Sequence, residues 1–499
     1  MNLKKDPLFS LLILIIIASA VFFRIYNYFG RVNIHADNAW ELQVVRYAFD
    51  NLRIPVVGPF SSAGPFFYGP WYFWIFMVIT VVPFGFLTHW YLMTILSFVF
   101  IYLVFWIGRE VGGKWVGAIA ALYAAVSTAQ INNSFGVWSP ALIPFLVALS
   151  LVLLLRFSKN GKLLDLFLLS FVVGLSVTIH FQSVLISPIL FAALILLFLS
   201  KPKFTTLFKS LGLTFMGFVI PFLPLIWWDA NHNWYNSVSL AVYLLVDQYK
   251  IWVPNRWLTY AGSYWPQAWA EIIGGSKYLA GVVIGLVGVF GLLKLKNFSK
   301  SKAFYLVALT FLFEVILFRY YRGERFYYYS FFAHPAVIVL TAYVTHELFK
   351  IQKLLGIILV SVFVVLTINQ SVKNLKDVGI TLSQITSVKE EIYAAYPNHN
   401  FDIYGCIYNG GRVSHPIALS IYIDGRNTLD GVKIGTCEAG DGSIAWHALS
   451  WEEVASENSA FYNVTTEHVY RGMQEWWIEK PPGKGDLWKF LGENFRKQD

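Results

Sequence analysis

Long apolar runs separated by short polar loops fill the first three quarters of this 499-residue chain. A helix needs roughly 20 apolar residues to cross the hydrocarbon core of a membrane. The pattern therefore predicts eleven transmembrane helices, at about 8–28, 90–108, 114–131, 138–156, 163–179, 182–199, 210–228, 277–295, 303–319, 326–345 and 354–371. We interpret the first run as an uncleaved span, because no small-residue cleavage site follows it.

A twelfth apolar run, 66–87, contains Pro70 and Pro83 and is ambiguous by hydropathy alone. If it does not cross, the loops on the side of the N-terminus hold 16 Lys and Arg, against 10 on the other side before the tail. If it crosses, the balance becomes 8 against 18. Lys and Arg gather in cytoplasmic loops. The charge pattern therefore predicts a cytoplasmic N-terminus, and a 66–87 segment that lies along or dips into the outer leaflet.

The polar tail differs from the rest of the chain. We divide the sequence into a membrane domain at 1–371, whose first outer loop is 29–89, and an extracytoplasmic soluble domain at 372–499. The tail carries a net charge of −5 and the membrane domain one of +14. Strand-like runs at 401–408 and 418–423, separated by Gly and Asn turns, predict a small α/β fold.

Both cysteines of the chain, Cys406 and Cys437, lie in this tail. A pair confined to one extracytoplasmic domain is typical of a disulfide. Two unrelated thiols are the equal alternative at this point.

Composition supports the membrane assignment. Hydrophobic residues make up 57% of the chain and charged residues 13%, whereas soluble domains carry about 25% charge. The net charge of the whole chain is +9, and its positive excess comes from the membrane domain, where it suits anionic lipid headgroups. We therefore expect a multi-pass protein of the plasma membrane in contact with its lipids, and no nucleic-acid partner.

The predicted outer loops carry the candidate chemistry. The inner loops are short and Lys-rich, but the outer loops hold acids, histidines, arginines and aromatic residues. In the first of them, Asp37 lies near the start of a predicted surface helix, and Glu41 follows one turn later on the same side. An acid at a helix start can equally serve as an N-cap or dipole partner. The other candidates on this side are His35, Tyr68, Trp138, His180, Gln182, Asp229, His232, Arg322, Glu324 and Arg325.

Three of these positions are unusual for a membrane protein. His180 lies between two apolar runs, where a polar group is costly and is either functional or packed against a neighbouring helix. Arg322 and Arg325 interrupt the positive-inside trend. The planar fork of Arg matches phosphate, although an ion pair with Glu324 or a lipid headgroup would also account for them.

The order of these motifs resembles a known family. The relevant segments are 35–74, Trp138-Ser139-Pro140, His180-Phe181-Gln182, 224–236 and Tyr321-Arg322-Gly323-Glu324 continuing to Pro335. They resemble the dolichyl-phosphate-mannose–protein mannosyltransferase superfamily, in particular its bacterial membrane branch related to the lipid A aminoarabinose transferase. Members have the GT-C fold. The family commonly has Asp-Glu in the first outer loop, where this chain has Asp37-Asn38.

The resemblance implies inverting transfer of a sugar from a polyprenyl-phosphate donor to a hydroxyl of a glycan, lipid or protein. Asp37 would be the general base, and Arg322 and Arg325 would bind the phosphate. Donor and acceptor would be bound by His35, Glu41, Tyr68, Trp138, His180, Gln182, Asp229, His232 and Glu324. No cofactor is required by these residues, although Asp37, His180 and Asp229 could ligate a divalent metal.

Two other functions stay open. A transporter or flippase of lipid-linked saccharides would line a path with polar residues at mid-depth on several helices. The predicted spans have few such residues, chiefly Asp165 and Glu314, which favours an enzyme with a site at one face. A polymerase or ligase with a diphosphate-linked donor shares most of the features, and only the family resemblance separates it.

Overall fold

The computed structural model describes residues 6–32, 34–61, 63–249, 257–298, 301–323, 325–376, 379–407, 412–439, 442–455 and 459–476. Helices dominate up to residue 373. They are α1 (Pro7–Ile25), α2 (Tyr28–Arg31), α3 (Ala36–Asp50), α4 (Trp71–Thr80), α5 (Thr88–Gly112), α6 (Lys114–Val126), α7 (Thr128–Asn133), α8 (Ile143–Asn160), α9 (Leu163–Ile179), α10 (Ser187–Leu199), α11 (Phe204–Val219), α12 (Leu223–Asn231), α13 (Tyr235–Leu245), α14 (Trp257–Thr259), α15 (Trp265–Ile273), α16 (Lys277–Lys294), α17 (Lys302–Tyr320), α18 (His334–Ile351) and α19 (Lys353–Lys373).

Eight helical segments of the described chain are long and apolar enough to cross a membrane. They are Pro7–Ile25, Gly85–Gly112, Ser139–Asn160, Phe181–Leu199, Phe204–Asn231, Lys277–Asn297, Lys302–Tyr320 and Lys353–Lys373. The other three predicted spans coincide with α6, α9 and α18, which are helices outside this set of eight. The prediction of a polytopic helical protein is confirmed, and the count of eleven spans stays a prediction.

The segment 66–87 forms a short helix followed by a turn. Helix α4 has ten residues, which at 1.5 Å each cover about 15 Å, half of a hydrocarbon core. Asp6, at the start of α1, forms a 2.5 Å ion pair with Lys114, just after the end of α5. The chain therefore returns to its starting end of the bundle between these residues. This geometry supports the prediction that 66–87 does not cross the membrane, which stays a prediction.

Helix α18 lies at the centre of the bundle. Its residues from His334 to Thr345 are buried, and it packs against α5, α6, α16 and α19. The small residues Gly117, Ala118, Ala120 and Ala121 of α6 allow close approach of neighbouring backbones, as is usual where helices associate in lipid. The exposed large side chains belong mainly to outer helices such as α1, α11 and α16. This arrangement leaves apolar surface facing outward, as a lipid environment requires.

The tail is a small α/β domain, as predicted. Its elements are α20 (Leu382–Ala395), β1 (Phe401–Cys406), α21 (Ser414–Ile423), β2 (Val432–Glu438), β3 (Ile444–Ala448), α22 (Trp451–Ala455), β4 (Phe461–Asn463) and α23 (Thr466–Arg471). The sheet order is β3-β2-β1-β4, with β1 and β2 parallel and the other two pairs antiparallel.

One predicted strand is wrong. Residues 418–423 lie in α21, which connects the parallel strands β1 and β2. Parallel neighbours need a crossover connection, which is usually a helix, and topology here overrides the strand-like composition. Cys406 at the end of β1 and Cys437 on β2 are joined as a disulfide, with Cα atoms 5.3 Å apart.

Candidate functional site

The two ends of the helical bundle differ in chemistry. The loops predicted to be cytoplasmic meet at one end, where Lys and Arg pair with acids. The pairs are Lys114–Asp6, Arg156–Asp165, Lys159–Glu110, Lys294–Glu347 and Lys350–Glu347. Lys302 also donates a hydrogen bond to the carbonyl of Ser158. This end, called below the lysine end, is crosslinked by ion pairs.

The opposite end contains a cavity of about 700 Å³, a volume within the range of small-molecule sites. Five parts of the chain build it: the first outer loop, residues 128–138, residues 327–334, the end of α15 and the end of α19. Its polar and charged lining comprises Arg31, His35, Asp37, Asn38, Thr128, Asn132, Asn133, Trp138, Glu271, Tyr327, Tyr328, Ser330, His334, Gln370 and Asn374.

Asp37 presents its carboxylate to this cavity. His35 is the N-cap of α3 and Asn38 completes a capping box, with its Oδ1 accepting the His35 N–H at 3.0 Å. Asp37 is therefore not needed as a cap. Its side chain is exposed and makes no hydrogen bond or ion pair with the described residues. The cap also accounts for Asn at position 38, where the family commonly has Glu.

Arg31 is the one Lys or Arg among the described residues that line the cavity. Its side chain is 2% exposed, and Nη1 donates to the carbonyls of Phe23 and Tyr26 at the end of α1, at 2.8 and 3.1 Å. The guanidinium lies 4.7 Å from the centre of the Phe135 ring. Its Nε–H has no hydrogen-bond partner among the described residues. Burial lowers the pKa of Arg31 to about 10, so the group stays charged at neutral pH.

Aromatic side chains form one wall. The Trp138 ring lies 5.0 Å from that of Tyr328 in an edge-on arrangement, and 6.1–6.2 Å from those of Phe331 and Tyr327. Pro140 and the short helical turns on both sides of the wall fix these rings. The wall presents flat faces to the cavity, which suit a sugar ring or a prenyl chain.

His180, Gln182 and Tyr68 lie behind this wall. Tyr328 separates the cavity from a space of about 10 Å³ lined by His180 and Gln182. The His180 ring stacks on Tyr68 at 4.9 Å, and its Nε2 lies 3.3 Å from the Tyr68 hydroxyl. Both polar atoms of the Gln182 amide are buried without a partner among the described residues. The three residues are adjacent to the cavity but do not line it.

Comparison with known proteins rests on structure. The sequence matches no family model and no curated protein. ArnT from Cupriavidus metallidurans superposes with a TM-score of 0.56 in its apo state, at 8% identity, over 86% of this chain and 93% of that one. The same protein bound to undecaprenyl phosphate gives 0.54, at 9% identity, over 82% and 84%. Both are GT-C glycosyltransferase structures.

An oligosaccharyltransferase from Archaeoglobus fulgidus, in its apo form, gives a TM-score of 0.50 at 13% identity over 85% of this chain. This chain spans 65% of the length of that protein. The chain has the GT-C fold. At these identities the similarity establishes the architecture and leaves activity and substrates to be argued from the site.

Glu41 has a buried carboxyl group and lies next to the cavity. It lies one turn after Asp37 on α3 and is 6% exposed, and its Oε2 has no hydrogen-bond partner among the described residues. The pKa of Glu41 is raised to about 8, chiefly by burial; a hydrogen bond from Tyr72 opposes the shift and the nearby carboxylate of Asp37 adds to it. Burial also shifts the pKa of His35, in this case downward, while the negative charge of Asp37 acts in the opposite direction.

Four predicted site residues lie away from the cavity. The Asp229 carboxylate accepts the backbone N–H groups of Asn236 and Ser237, at 2.7 and 3.0 Å, and so caps α13. His232 stacks on Trp228 at 4.4 Å and reaches its carbonyl through Nδ1. Both residues have local structural roles in this conformation.

The other two predicted site residues away from the cavity are the predicted phosphate ligands, Arg322 and Arg325. Arg325 donates to the carbonyls of Tyr321 and Arg319 and lies over the rings of Tyr260, Tyr264 and Phe318. The backbone N–H of Arg322 donates to Gln248, and neither arginine lines the cavity. Glu324 lies outside the described residues.

Sequence reasoning missed several lining residues, chiefly Arg31, Glu271, His334, Gln370 and Asn374. One signal existed for Arg31: it interrupts the positive-inside trend six residues before Asp37, just as Arg322 does farther along. The others come from helix ends whose convergence no local pattern indicates. Among the described residues, no group of three or more His, Cys, Asp or Glu could hold a metal ion.

Proposed function

We propose that this protein is an inverting glycosyltransferase. It moves a sugar from a polyprenyl-phosphate donor to an acceptor hydroxyl of a glycan, lipid or protein at the non-cytoplasmic face of the plasma membrane. The observation that carries the proposal is the carboxylate of Asp37. It lines a cavity of a GT-C fold, does not cap its helix, and forms no hydrogen bond or ion pair with the described residues. The lysine end supports the orientation, because Lys and Arg gather on the cytoplasmic side.

Asp37 acts as the general base. An exposed carboxylate free of hydrogen bonds is available to accept the proton of an acceptor hydroxyl. The hydroxyl oxygen then forms a bond to the anomeric carbon, and the bond from that carbon to the phosphate oxygen breaks on the opposite face. A single displacement of this kind inverts the anomeric configuration, and polyprenyl phosphate leaves.

Arg31 stabilises the leaving phosphate. Among the described residues that line the cavity it is the one Lys or Arg, and its guanidinium, which forms no ion pair with the described residues, can donate to a phosphate oxygen. Charge-assisted bonds of this type strengthen as negative charge develops on the leaving group. This assignment gives Arg31 the role that was predicted for Arg322 and Arg325, neither of which lines the cavity.

Trp138 and its aromatic neighbours form the surface on which the sugar rests. Sugar C–H faces pack on aromatic rings, and the amides of Asn132 and Gln370 supply hydrogen bonds to hydroxyls. His35 is placed to contact the acceptor beside Asp37. His180 and Gln182 contact the donor only if Tyr328 moves, because that ring separates them from the cavity.

The test is a donor assay with purified protein. Incubation with a polyprenyl-phosphate sugar should release free polyprenyl phosphate in the presence of an acceptor, and the product linkage should have the opposite anomeric configuration, read by NMR coupling constants. A polyprenyl-diphosphate sugar should not replace it, since Arg31, the one Lys or Arg among the described lining residues, matches one phosphate. Turnover with the diphosphate donor alone would establish the polymerase or ligase reading.

A flippase remains the other alternative, and a second arm addresses it. In sealed vesicles, a flippase would move the lipid-linked saccharide between leaflets without cleaving it. The enzyme should instead cleave donor supplied to the cavity side only. Movement without release of polyprenyl phosphate would overturn the proposal.

A further inference from the structure

The buried side-chain amide of Gln43 connects α3, the helix that carries Asp37, to the tail. Gln43 lies on α3 and is fully buried. Its Nε2 donates to the carbonyl of Val464 at 2.8 Å and to the hydroxyl of Thr466 at 3.1 Å. Its Oε1 lies 2.7 Å from Nδ1 of His415. All three bonds join a membrane-domain side chain to the tail, more than 370 residues away in sequence.

The chemistry of the partners fixes the arrangement of protons. A backbone carbonyl can only accept, so the Gln43 nitrogen must face Val464 and its oxygen must face His415. The Nδ1 of His415 therefore carries the proton. Burial lowers the pKa of His415 to about 3, so the ring is neutral and this tautomer persists across the physiological range. The network is satisfied in one orientation of the amide only.

Other contacts attach the tail to the region just after α3. Gln474 accepts the Val56 N–H at 3.2 Å and donates to the Val57 carbonyl at 3.1 Å. The rings of Tyr47 and Tyr470 lie 4.8 Å apart. Helix α3 is thus enclosed between α4 on one side and α21 and α23 of the tail on the other.

The geometry relates this contact to the cavity. Gln43 follows Asp37 by six residues, which at about 100° per residue places the two side chains about 120° apart around α3. The tail therefore holds the helix on a face different from the one that Asp37 presents to the cavity. A rotation of α3 would break the Gln43 bonds and would also swing the Asp37 carboxylate away from the cavity.

We propose that the tail is a positioning domain, and that Gln43, held by His415, is a positioning residue that sets the rotation of α3 and hence the direction of Asp37. The consequence for turnover rests on the proposed function. The structural consequence, an α3 that is held rigid by the tail, does not depend on which reaction the protein catalyses.

The first experiment measures hydrogen exchange along α3 in the full-length protein. Replacing Gln43 by Leu leaves the Val464 carbonyl and the His415 N–H unpaired, so amides of 36–50 should exchange at least several-fold faster, while those of α8 keep their rates. Gln384→Leu is the matched control. It removes an amide that accepts the Thr381 N–H at the start of α20 inside the tail, makes no bond to α3 in the described structure, and should leave α3 unchanged. Equal effects of both variants, or no effect of Gln43→Leu, would overturn the proposal.

The second experiment uses kinetics and a double-mutant cycle. In the donor assay, Gln43→Leu should lower kcat roughly 10- to 100-fold, as misplaced catalytic groups do, with an unchanged KM for the donor. His415→Leu should reproduce this from the tail side, and the double variant should lose less than the product of the two, because both partners of the buried bond are then absent. Independent, multiplicative losses would contradict the coupling.

Hydrogen exchange and the donor assay distinguish a failure of the positioning role from a failure of the proposed function. A wild-type protein without transferase activity would refute the proposed function, and the exchange experiment would still decide the positioning role. If Gln43→Leu does not fold, His415→Leu provides the same exchange test from the other partner, since it removes the same bond without changing α3.

Discussion

The lysine end and the cavity end of the bundle use charge in opposite ways. At the lysine end Asp165 is 1% exposed and has its carboxylate 2.9 Å from the Arg156 guanidinium. At the cavity end Asp37 and Arg31 line one cavity and form no ion pair with each other in the described structure. The same residue types therefore neutralise one another at one end and stay available at the other.

Helix ends give the physical reason for this difference. Arg24 and Arg31 each cap a helix C-terminus: Arg24 donates to the carbonyls of Ala124 and Ala125, and Arg31 to those of Phe23 and Tyr26. The macrodipole and the free carbonyls hold the cation without a carboxylate. Backbone dipoles thus stabilise Arg31 and leave Asp37 unpaired. The comparison predicts that matched substitutions will have large effects on catalysis at one end and small ones at the other.

The largest effect is expected from Asp37→Asn. The amide keeps the size of the side chain but cannot accept a proton, so kcat should fall about 100- to 10,000-fold, the usual contribution of a general base. Donor affinity should stay near the wild-type value. Release of polyprenyl phosphate measures the first quantity, and binding of a labelled polyprenyl phosphate the second.

Asp50→Asn is the matched control for that substitution. Asp50 ends the same helix and pairs with Arg46 at 2.9 Å, away from the cavity. Its replacement should leave kcat within about twofold of wild type, since an exposed pair contributes about 0–1 kcal/mol. Wild-type turnover in Asp37→Asn would remove the base assignment.

Arg31→Met should weaken the donor. Loss of a charged hydrogen bond to phosphate costs about 1.5–3 kcal/mol, which corresponds to a roughly 10- to 100-fold increase in Kd for polyprenyl phosphate. Arg24→Met sharpens the comparison, because Arg24 also caps a helix end but does not line the cavity. Both variants should lose stability, and only Arg31→Met should lose donor affinity. Equal affinities would return the phosphate role to Arg322.

Glu41→Gln should change how stability depends on pH. Burial raises the pKa of Glu41 to about 8 from 4.5, so the folded protein retains a proton that the unfolded chain releases. Unfolding of the wild type therefore becomes easier as the pH rises from 4.5 towards 8. The glutamine variant lacks this term and should melt at a higher temperature than wild type above pH 8, with the difference vanishing near pH 4.5. A pH-independent difference in melting temperature would mean that Glu41 is ionised in the folded state.

Much of the architecture followed from sequence. The loop-charge prediction that 66–87 does not cross the membrane stays a prediction, supported by the Asp6–Lys114 pair at one end of the bundle. Hydropathy located each of the eleven predicted helices. These predictions succeeded because lipid imposes one rule on every residue of a span. The assignment of 418–423 failed because a crossover between parallel strands is a tertiary requirement.

The cavity was only partly predictable. Asp37, His35 and Trp138 line it as expected, because each lies beside a helix start in an outer loop. Asp229 has the same local features but caps α13, and no sequence pattern distinguishes a capping Asp from a catalytic one. Glu271, His334 and Gln370 converge with Arg31 through helix packing over hundreds of residues, which composition and spacing do not encode.

The smallest effect on catalysis is expected at the lysine end. Arg156→Met removes the partner of Asp165 and should lower stability, because the Asp165 carboxylate, which is 1% exposed, is then left buried without a cation. Turnover and donor affinity should stay within about twofold of wild type. Lys162→Met, a neighbouring cation that forms no ion pair with the described residues, should change neither stability nor activity.

Thermal unfolding and the donor assay, measured on both variants, decide whether the two ends are independent. A loss of turnover in Arg156→Met comparable to that in Asp37→Asn would mean that the lysine end takes part in the reaction, as a transport path through the bundle would require. Loss of stability without loss of turnover is expected instead, because the ion pairs of that end hold helices together and the cavity that carries Asp37 and Arg31 lies at the other end.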